Sequence, residues 1–293
     1  MTSPPRIRAA AALIALSPAL LLLPLAGASA AEVSPPVAAC VTKALGSAAA
    51  PILGGDEKAM ARLSAQERGR VEGCLLTNGR SAGSSSRKPP ALTVSPMDPA
   101  LVTSMSRFRS CAGHDFSGMN AQGQAERDRS MKHYLYVSVP WTATGSVPVQ
   151  APFSGTAIVS VEEDYPLGSW VRILHRDGWA FTAFHVDAKV RDGRKVRAGQ
   201  RIATFPPANA PAFMPDRMGE PEANFDFSLQ STDGRLASFV EAMSPSARAP
   251  WAARGFTTQA LTIARGERDA RPCASDYPDT PGTAGFVAAA GVR

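Results

Sequence analysis

The spacing of apolar residues divides this 293-residue chain into stretches of different character. From Ala9 to Leu25 the chain is almost continuously apolar, with Arg6 and Arg8 before the run and the small residues Ala28-Ser29-Ala30 after it. That order is expected of a Sec-type signal peptide over residues 1–30. Pro18 and Pro24 interrupt the run, and a bilayer span needs about 20 apolar residues, so an uncleaved anchor fits less well. No cysteine follows at a lipobox position, and no later segment reads as a membrane span. The protein is therefore expected to be exported, to a periplasm or beyond.

Residues 31–77 change to helical spacing. Val37, Val41 and Leu45 recur on one helical face, Pro51 to Asp56 makes a turn, and Ser64 with Glu67 resembles a capping box. The box opens a second helix through Val71, Cys74 and Leu75. A pair of helices this small needs a covalent staple to be stable. Residues 78–100, rich in Ser, Gly, Pro and basic side chains, read as a linker.

Beyond Tyr134 the period falls to that of strands. Tyr134–Val139, Val147–Val149, Thr156–Val161, Trp170–Leu174 and Ala180–Phe184 are β-branched or aromatic and follow at short intervals. Gly155, Gly168, Asp177-Gly178, Asp192-Gly193 and Gly199 punctuate them, which predicts an all-β sheet or barrel. The β domain is expected over 101–273, with Glu162-Glu163-Asp164 as a solvated hairpin tip and 274–293 as a flexible tail.

Four cysteines, Cys40, Cys74, Cys111 and Cys273, follow the export signal. An even count in an oxidising compartment suggests two disulfides. Their layout favours Cys40–Cys74 within the helical module and Cys111–Cys273 around the β domain, the second bridge being worth roughly 4–5 kcal/mol in the chain-entropy picture. The wide, irregular spacings argue against a zinc–cysteine site. The formal charge of +6 falls to +4 once Arg6 and Arg8 leave with residues 1–30. This excess reads as small and unclustered, and no basic run carries interleaved aromatics, which disfavours nucleic acid as a partner.

Between His133 and Gln230 the strands take an order that resembles the lysostaphin-like (LytM-type) zinc peptidases of peptidoglycan. Val147-Pro148-Val149-Gln150-Ala151 through Gly155 is similar to their first hairpin, and Val171 through His185 to their paired strands ending in Y-x-H. Val190 through Ala203 is similar to the hairpin V-x-x-G-x-x-V-x-x-G-Q-x-I-G. That last hairpin also serves biotinyl and lipoyl carriers, but their Met-Lys-Met lysine is missing here. The resemblance implies a mainly β, barrel-sandwich-like antiparallel sheet. It also implies zinc, held by the His and Asp of H-x-x-x-D and the second His of H-x-H, with an open position for the attacking water. Two further histidines would orient that water.

On this sequence the implied set is incomplete. His133 takes the first ligand position, but Val137 stands where its aspartate belongs. His185 keeps the Y-x-H position. Asn224 replaces the first histidine of H-x-H, and Asp226 replaces the second. His133 and Asp226 are thus the remaining candidate ligands, with His114 and Asp115 as further donors near Cys111, Asp115 able to return the lost carboxylate. His185 and His175 also fit as plain strand residues, His114-Asp115 as a turn, and Asp226 as a hydrogen-bond acceptor for His133. The resemblance implies a degenerate domain that has lost zinc and binds peptidoglycan or a wall hydrolase. An active divergent zinc endopeptidase and a barrel-sandwich adaptor of an envelope assembly are the alternatives.

Overall fold

The computed structural model describes residues 33–54, 56–79, 85–161 and 167–291. The expected signal peptide and the Glu162-Glu163-Asp164 tip lie outside the described residues. Four short helices come first: α1 (Pro35–Leu45), α2 (Ala49–Leu53), α3 (Glu57–Arg62) and α4 (Ala65–Leu76). The capping box forms as expected. The Ser64 hydroxyl accepts from the Glu67 N–H, and the Glu67 carboxylate accepts from the Ser64 N–H. Val37 and Val41 of α1 and Ala49 of α2 bury against Val71 and Cys74 of α4, and Cys40–Cys74 closes the pair. One expectation changes here. Within the 19 residues Pro35–Leu53 an 18-residue window has a mean hydropathy of 1.4, enough by length and composition alone to cross a membrane. In the structure their apolar face instead packs against α4.

Two glycines let α4 approach the β domain. A Cβ at Gly73 would lie 1.9 Å from the Thr232 carbonyl oxygen, and one at Gly69 would lie 2.4 Å from that of Asp233. Only residues without a side chain permit this contact. The Gln230 amide donates to Glu72 across the same junction, at 3.0 Å.

Twelve strands follow among the described residues: β1 (Val102–Ser106), β2 (Met119–Asn120), β3 (His133–Val137), β4 (Val147–Gln150), β5 (Gly155–Ser160), β6 (Ser169–Leu174), β7 (Trp179–Ala188), β8 (Lys195–Val196), β9 (Arg201–Phe205), β10 (Ala223–Ser231), β11 (Arg235–Ala237) and β12 (Phe286–Ala288). Short helices α5 (Ala210–Phe213), α6 (Phe239–Ala242), α7 (Pro245–Ala253) and α8 (Arg265–Ala270) join them. The main sheet runs β12-β1-β3-β10-β7-β6-β5-β8, antiparallel throughout, and β4 pairs with β9 beside it. This is the mainly β antiparallel architecture that the hairpin spacing implies.

Register separates two faces. Along β10 the pairs Phe225↔Leu135, Phe227↔Ala183 and Leu229↔Phe181 put odd-numbered positions together on the core side. Phe225 stacks on Phe205 at 4.3 Å, Phe227 meets Phe181 at 4.9 Å, and Phe239 and Trp251 complete the layer. The even-numbered positions, Asp226↔Tyr134 and Ser228↔Thr182, share the opposite face, because strand side chains alternate.

Two segments pack more closely than their composition suggests. In the stretch read as a linker, Leu92 and Met97 are buried in the main core, and the Leu92 N–H donates to the Ala242 carbonyl. In the stretch read as a tail, β12 pairs with β1, and Ala289 reaches the core. Both gain backbone partners from elements far away in sequence, which local composition does not register.

Candidate functional site

The even-numbered face of β3 and β10 carries the chemistry. Lys132, one residue ahead of β3, turns its side chain to this face and is almost fully buried. Its ammonium lies 2.6 Å from Asp226 Oδ2 and 3.1 Å from His114 Nε2. Three rings surround the same nitrogen: Phe116 at 5.0 Å, Tyr134 at 4.8 Å and Phe184 at 4.8 Å from their centroids. Aromatic faces attract a cation, most strongly where water is excluded. His185 closes the other side of the carboxylate, its Nε2 lying 3.9 Å from Asp226 Oδ1.

Local structure places these groups. His185 has φ +58, and β6 and β7 shift register between Ser169 and Val171. This irregularity turns the imidazole toward Asp226, with Nδ1 3.3 Å from the Leu167 carbonyl. Gly113, at φ +71, brings the His114 loop down onto β3, where a Cβ would lie 2.0 Å from the Tyr134 hydroxyl. His114 Nδ1 lies 2.8 Å from the Asp115 carbonyl, which accepts only. Nδ1 therefore carries the proton, and Nε2 accepts from Lys132.

Charge and burial set the protonation states. The Lys132 ammonium, followed by burial, drives His114 down to about 4. Burial would lower Lys132 itself, but Asp226 and then Tyr134 outweigh it and hold the ammonium above its usual value. Burial pushes the Tyr134 phenol up to about 12. It also holds His185 below the ordinary imidazole value, against the opposing pull of Asp226. Near neutral pH the cluster is one ion pair flanked by two uncharged imidazoles.

The expected site residues separate. Asp226, His185 and His114 come together around Lys132. His133 does not join them, because it lies opposite Phe227 on the core side. Its Nδ1 sits 2.7 Å from the Ser106 carbonyl, its Nε2 2.9 Å from the Ser238 hydroxyl, and its ring meets Phe239 edge-on at 5.0 Å. Both ring nitrogens are thereby occupied, and burial lowers this imidazole to about 4. His133 and Asp226 neither share a metal nor pair with each other. Asp115 is exposed, with its carboxylate directed to Tyr277 instead of the cluster. Asn224 is on the cluster's face opposite Tyr136, with its buried Oδ1 unpartnered among the described residues.

Lys132, Tyr134, Phe116 and Phe184 were not evident from residue type. One signal was available: shifting H-x-x-x-D by one residue places it on Lys132 and Tyr136, which have the parity of Asp226. A lysine in a histidine position does not suggest a ligand, so the shift has no support until the β3–β10 register is known.

Of the three expected hairpins only β6–β7 pairs as one, with His185 near its end; β4 pairs with β9 and β5 with β8, so the other two turns carry the chain between non-paired strands. Residues 138–214 match the sequence profile of peptidase family M23. The matched segment is about a quarter of the chain. It holds β4 through β9 and His185 but neither Lys132 nor Asp226. No curated protein matches the sequence. Among solved structures, the M23 metalloprotease pseudoalterin from the deep sea is 14% identical, with 52% of this chain and 74% of that one covered at a TM-score of 0.32. A putative M23 peptidase from Pseudomonas aeruginosa is 16% identical, with 62% of each chain covered at 0.35. A zinc-containing peptidase from Vibrio cholerae is 19% identical, with 51% of this chain and 39% of that chain covered at 0.32.

The zinc implied by the M23 resemblance does not fit the residues present. His114, His185 and Asp226 are capable donors, but the Lys132 ammonium lies among them and already neutralises the carboxylate. A divalent ion 4 Å from that ammonium would meet a repulsion on the order of 8 kcal/mol at an effective dielectric of about 20. Among the described residues no group of three or more His, Cys, Asp or Glu side chains is spaced to hold a metal.

Proposed function

We propose that the β domain is an M23-like binding domain that works without metal in an exported protein. Its face carrying His185, Asn224 and the Lys132–Asp226 pair binds a peptide of peptidoglycan or a partner wall hydrolase. One observation carries this reading: the 2.6 Å buried contact between Lys132 and Asp226 at the point where the sheet gathers its donors. With that carboxylate paired to an ammonium, the cluster has no means of lowering the pKa of a water toward 7, as a catalytic zinc does. The neutral His185 ring, about one-fifth exposed, brings the cluster to the surface.

The test uses purified protein and isolated peptidoglycan sacculi. Co-sedimentation with the sacculi, release of no soluble peptides, and less than a tenth of an equivalent of zinc are expected. Stoichiometric zinc together with peptide release abolished by Asp226→Ala would establish the active endopeptidase instead. Failure to bind sacculi, alone or with an added wall hydrolase, would remove the wall-binding role.

A further inference from the structure

The segment from the end of β7 through β8 to the start of β9 carries a second candidate site, unrelated to the Lys132 cluster. Lys189, Arg191, Arg194, Lys195, Arg197 and Arg201 fall within 189–201, where Asp192 is the one acidic residue. Six cations less one anion give this segment +5, in a chain whose formal total is +6. The excess charge is therefore concentrated, which corrects its reading as unclustered. All six cations are exposed. Among the described residues, no ion pair joins any of them to a carboxylate. The Asp192 Oδ1 accepts from the Val159 N–H at 3.1 Å.

Folding brings four of these cations to one recess. Lys189, Arg191, Arg194 and Lys195, with Val190 and Gln200, line a cavity of about 480 Å³. Hydrogen bonds to β5, to β9 and within the turn fix its walls: Gly193 N–H to Ala157 O, Lys189 N–H to Ile202 O, and Arg197 N–H to Gln200 Oε1. Lysines and arginines that outnumber the one carboxylate of their segment, Asp192, are suited to a multiply charged oxyanion, above all phosphate. No aromatic residue lines it, so nucleic-acid bases would find no stacking surface. Its concave shape fits a phosphate projecting from a flexible chain better than the plane of a bilayer.

We infer that this recess binds the phosphate groups of an anionic phosphodiester polymer, giving the protein an anchoring site separate from the Lys132–Asp226 face. Arg197 and Arg201, on the same segment, extend the positive field along the polymer. Such binding is strongly screened by salt, since the Debye length falls from about 10 Å at 0.1 M to about 3 Å at 1 M.

The experiment measures binding of poly(glycerol phosphate) to purified protein by calorimetry. Arms with phosphatidylglycerol vesicles and with oligothymidylate run in parallel. Binding to the polymer that weakens at least tenfold between low and high salt is expected. The triple variant Arg191→Glu, Arg194→Glu, Lys195→Glu should lose at least a further tenfold, whereas Arg87→Glu with Lys88→Glu, equally exposed elsewhere, should change it less than twofold. Because every substituted residue is on the surface, an unchanged melting curve shows that the fold persists. Equal binding by both variants, or no binding by the unaltered protein, would overturn the assignment. Vesicle binding without polymer binding would assign the recess to a membrane surface. Oligothymidylate bound more than tenfold tighter than the base-free polymer would assign it to nucleic acid.

Discussion

Asp226 stands directly across the β3–β10 pair from Tyr134, and His133 stands across from Phe227. That single-residue difference in register puts the carboxylate and the histidine on opposite sides of the sheet. It decides which groups can act together.

The first prediction concerns Lys132. Removing one member of a buried ion pair leaves the other charge without compensation, at a cost of about 3–5 kcal/mol. Lys132→Ala should lose about that much in urea denaturation, and Lys132→Met with Asp226→Leu should recover most of it. A loss under about 1 kcal/mol would show that the pair contributes little. The same alanine variant frees His114, His185 and Asp226 from the central cation. It should take up zinc in calorimetry more tightly than the unaltered protein.

Stability should depend on pH in two opposed ways. His114 and His133 titrate at about 4 when folded, against an ordinary 6.5. The unfolded chain therefore binds more protons between those values. Their contribution is complete above about pH 6.5 and is lost as pH falls toward 4. Glu72, held near 7 by burial against an ordinary 4.5, acts in reverse. Its contribution is present below pH 4.5 and is lost as pH rises through 7. Melting curves across this range should show a flatter acid limb for His133→Asn and a flatter neutral limb for Glu72→Gln. Slopes identical to those of the unaltered protein would contradict these environments.

At the junction between α4 and β10–β11, Gly73→Ala should force the helix away from Thr232. Overpacking of this kind costs about 1–3 kcal/mol. Alanine is the better helix former, so a stabilised variant would show that the close approach does not occur. Thermal melting distinguishes the two outcomes.

Cys111 and Cys273 are 162 residues apart and joined. In the chain-entropy picture, closing so long a loop is worth about 5 kcal/mol. Cys111→Ser with Cys273→Ser should lower stability by up to that amount, measured by denaturation without reductant. Cys40→Ser with Cys74→Ser should act mainly on the helical module, seen as faster amide exchange in α1 and α4.

Much of the fold was legible in local pattern. The capping box at Ser64, the glycine-punctuated strands from Val147 to Phe205 and both cysteine pairings follow from spacing and turn chemistry, whereas the pairing of β4 with β9 and of β5 with β8 does not. The site was less legible. Asp226, His185 and His114 could be named by residue type, but only cross-strand register shows that His133 belongs to the core and Lys132 to the cluster. Leu92, Met97 and β12 were missed for a related reason: their partners, Ala242 and β1 among them, are distant in the chain. The positive recess combines the two cases, since its cations are visible in sequence and their convergence is not.

The two-residue β8 and the three-residue β12 end the sheet on either side. Short outer strands offer a second copy of the chain few open backbone groups, and the lysines and arginines around β8 repel a like partner. The architecture that supports the recess therefore also opposes fibril-like stacking. Concentrated solutions at low ionic strength should remain clear, and added salt, by weakening that repulsion, should be what first turns them cloudy.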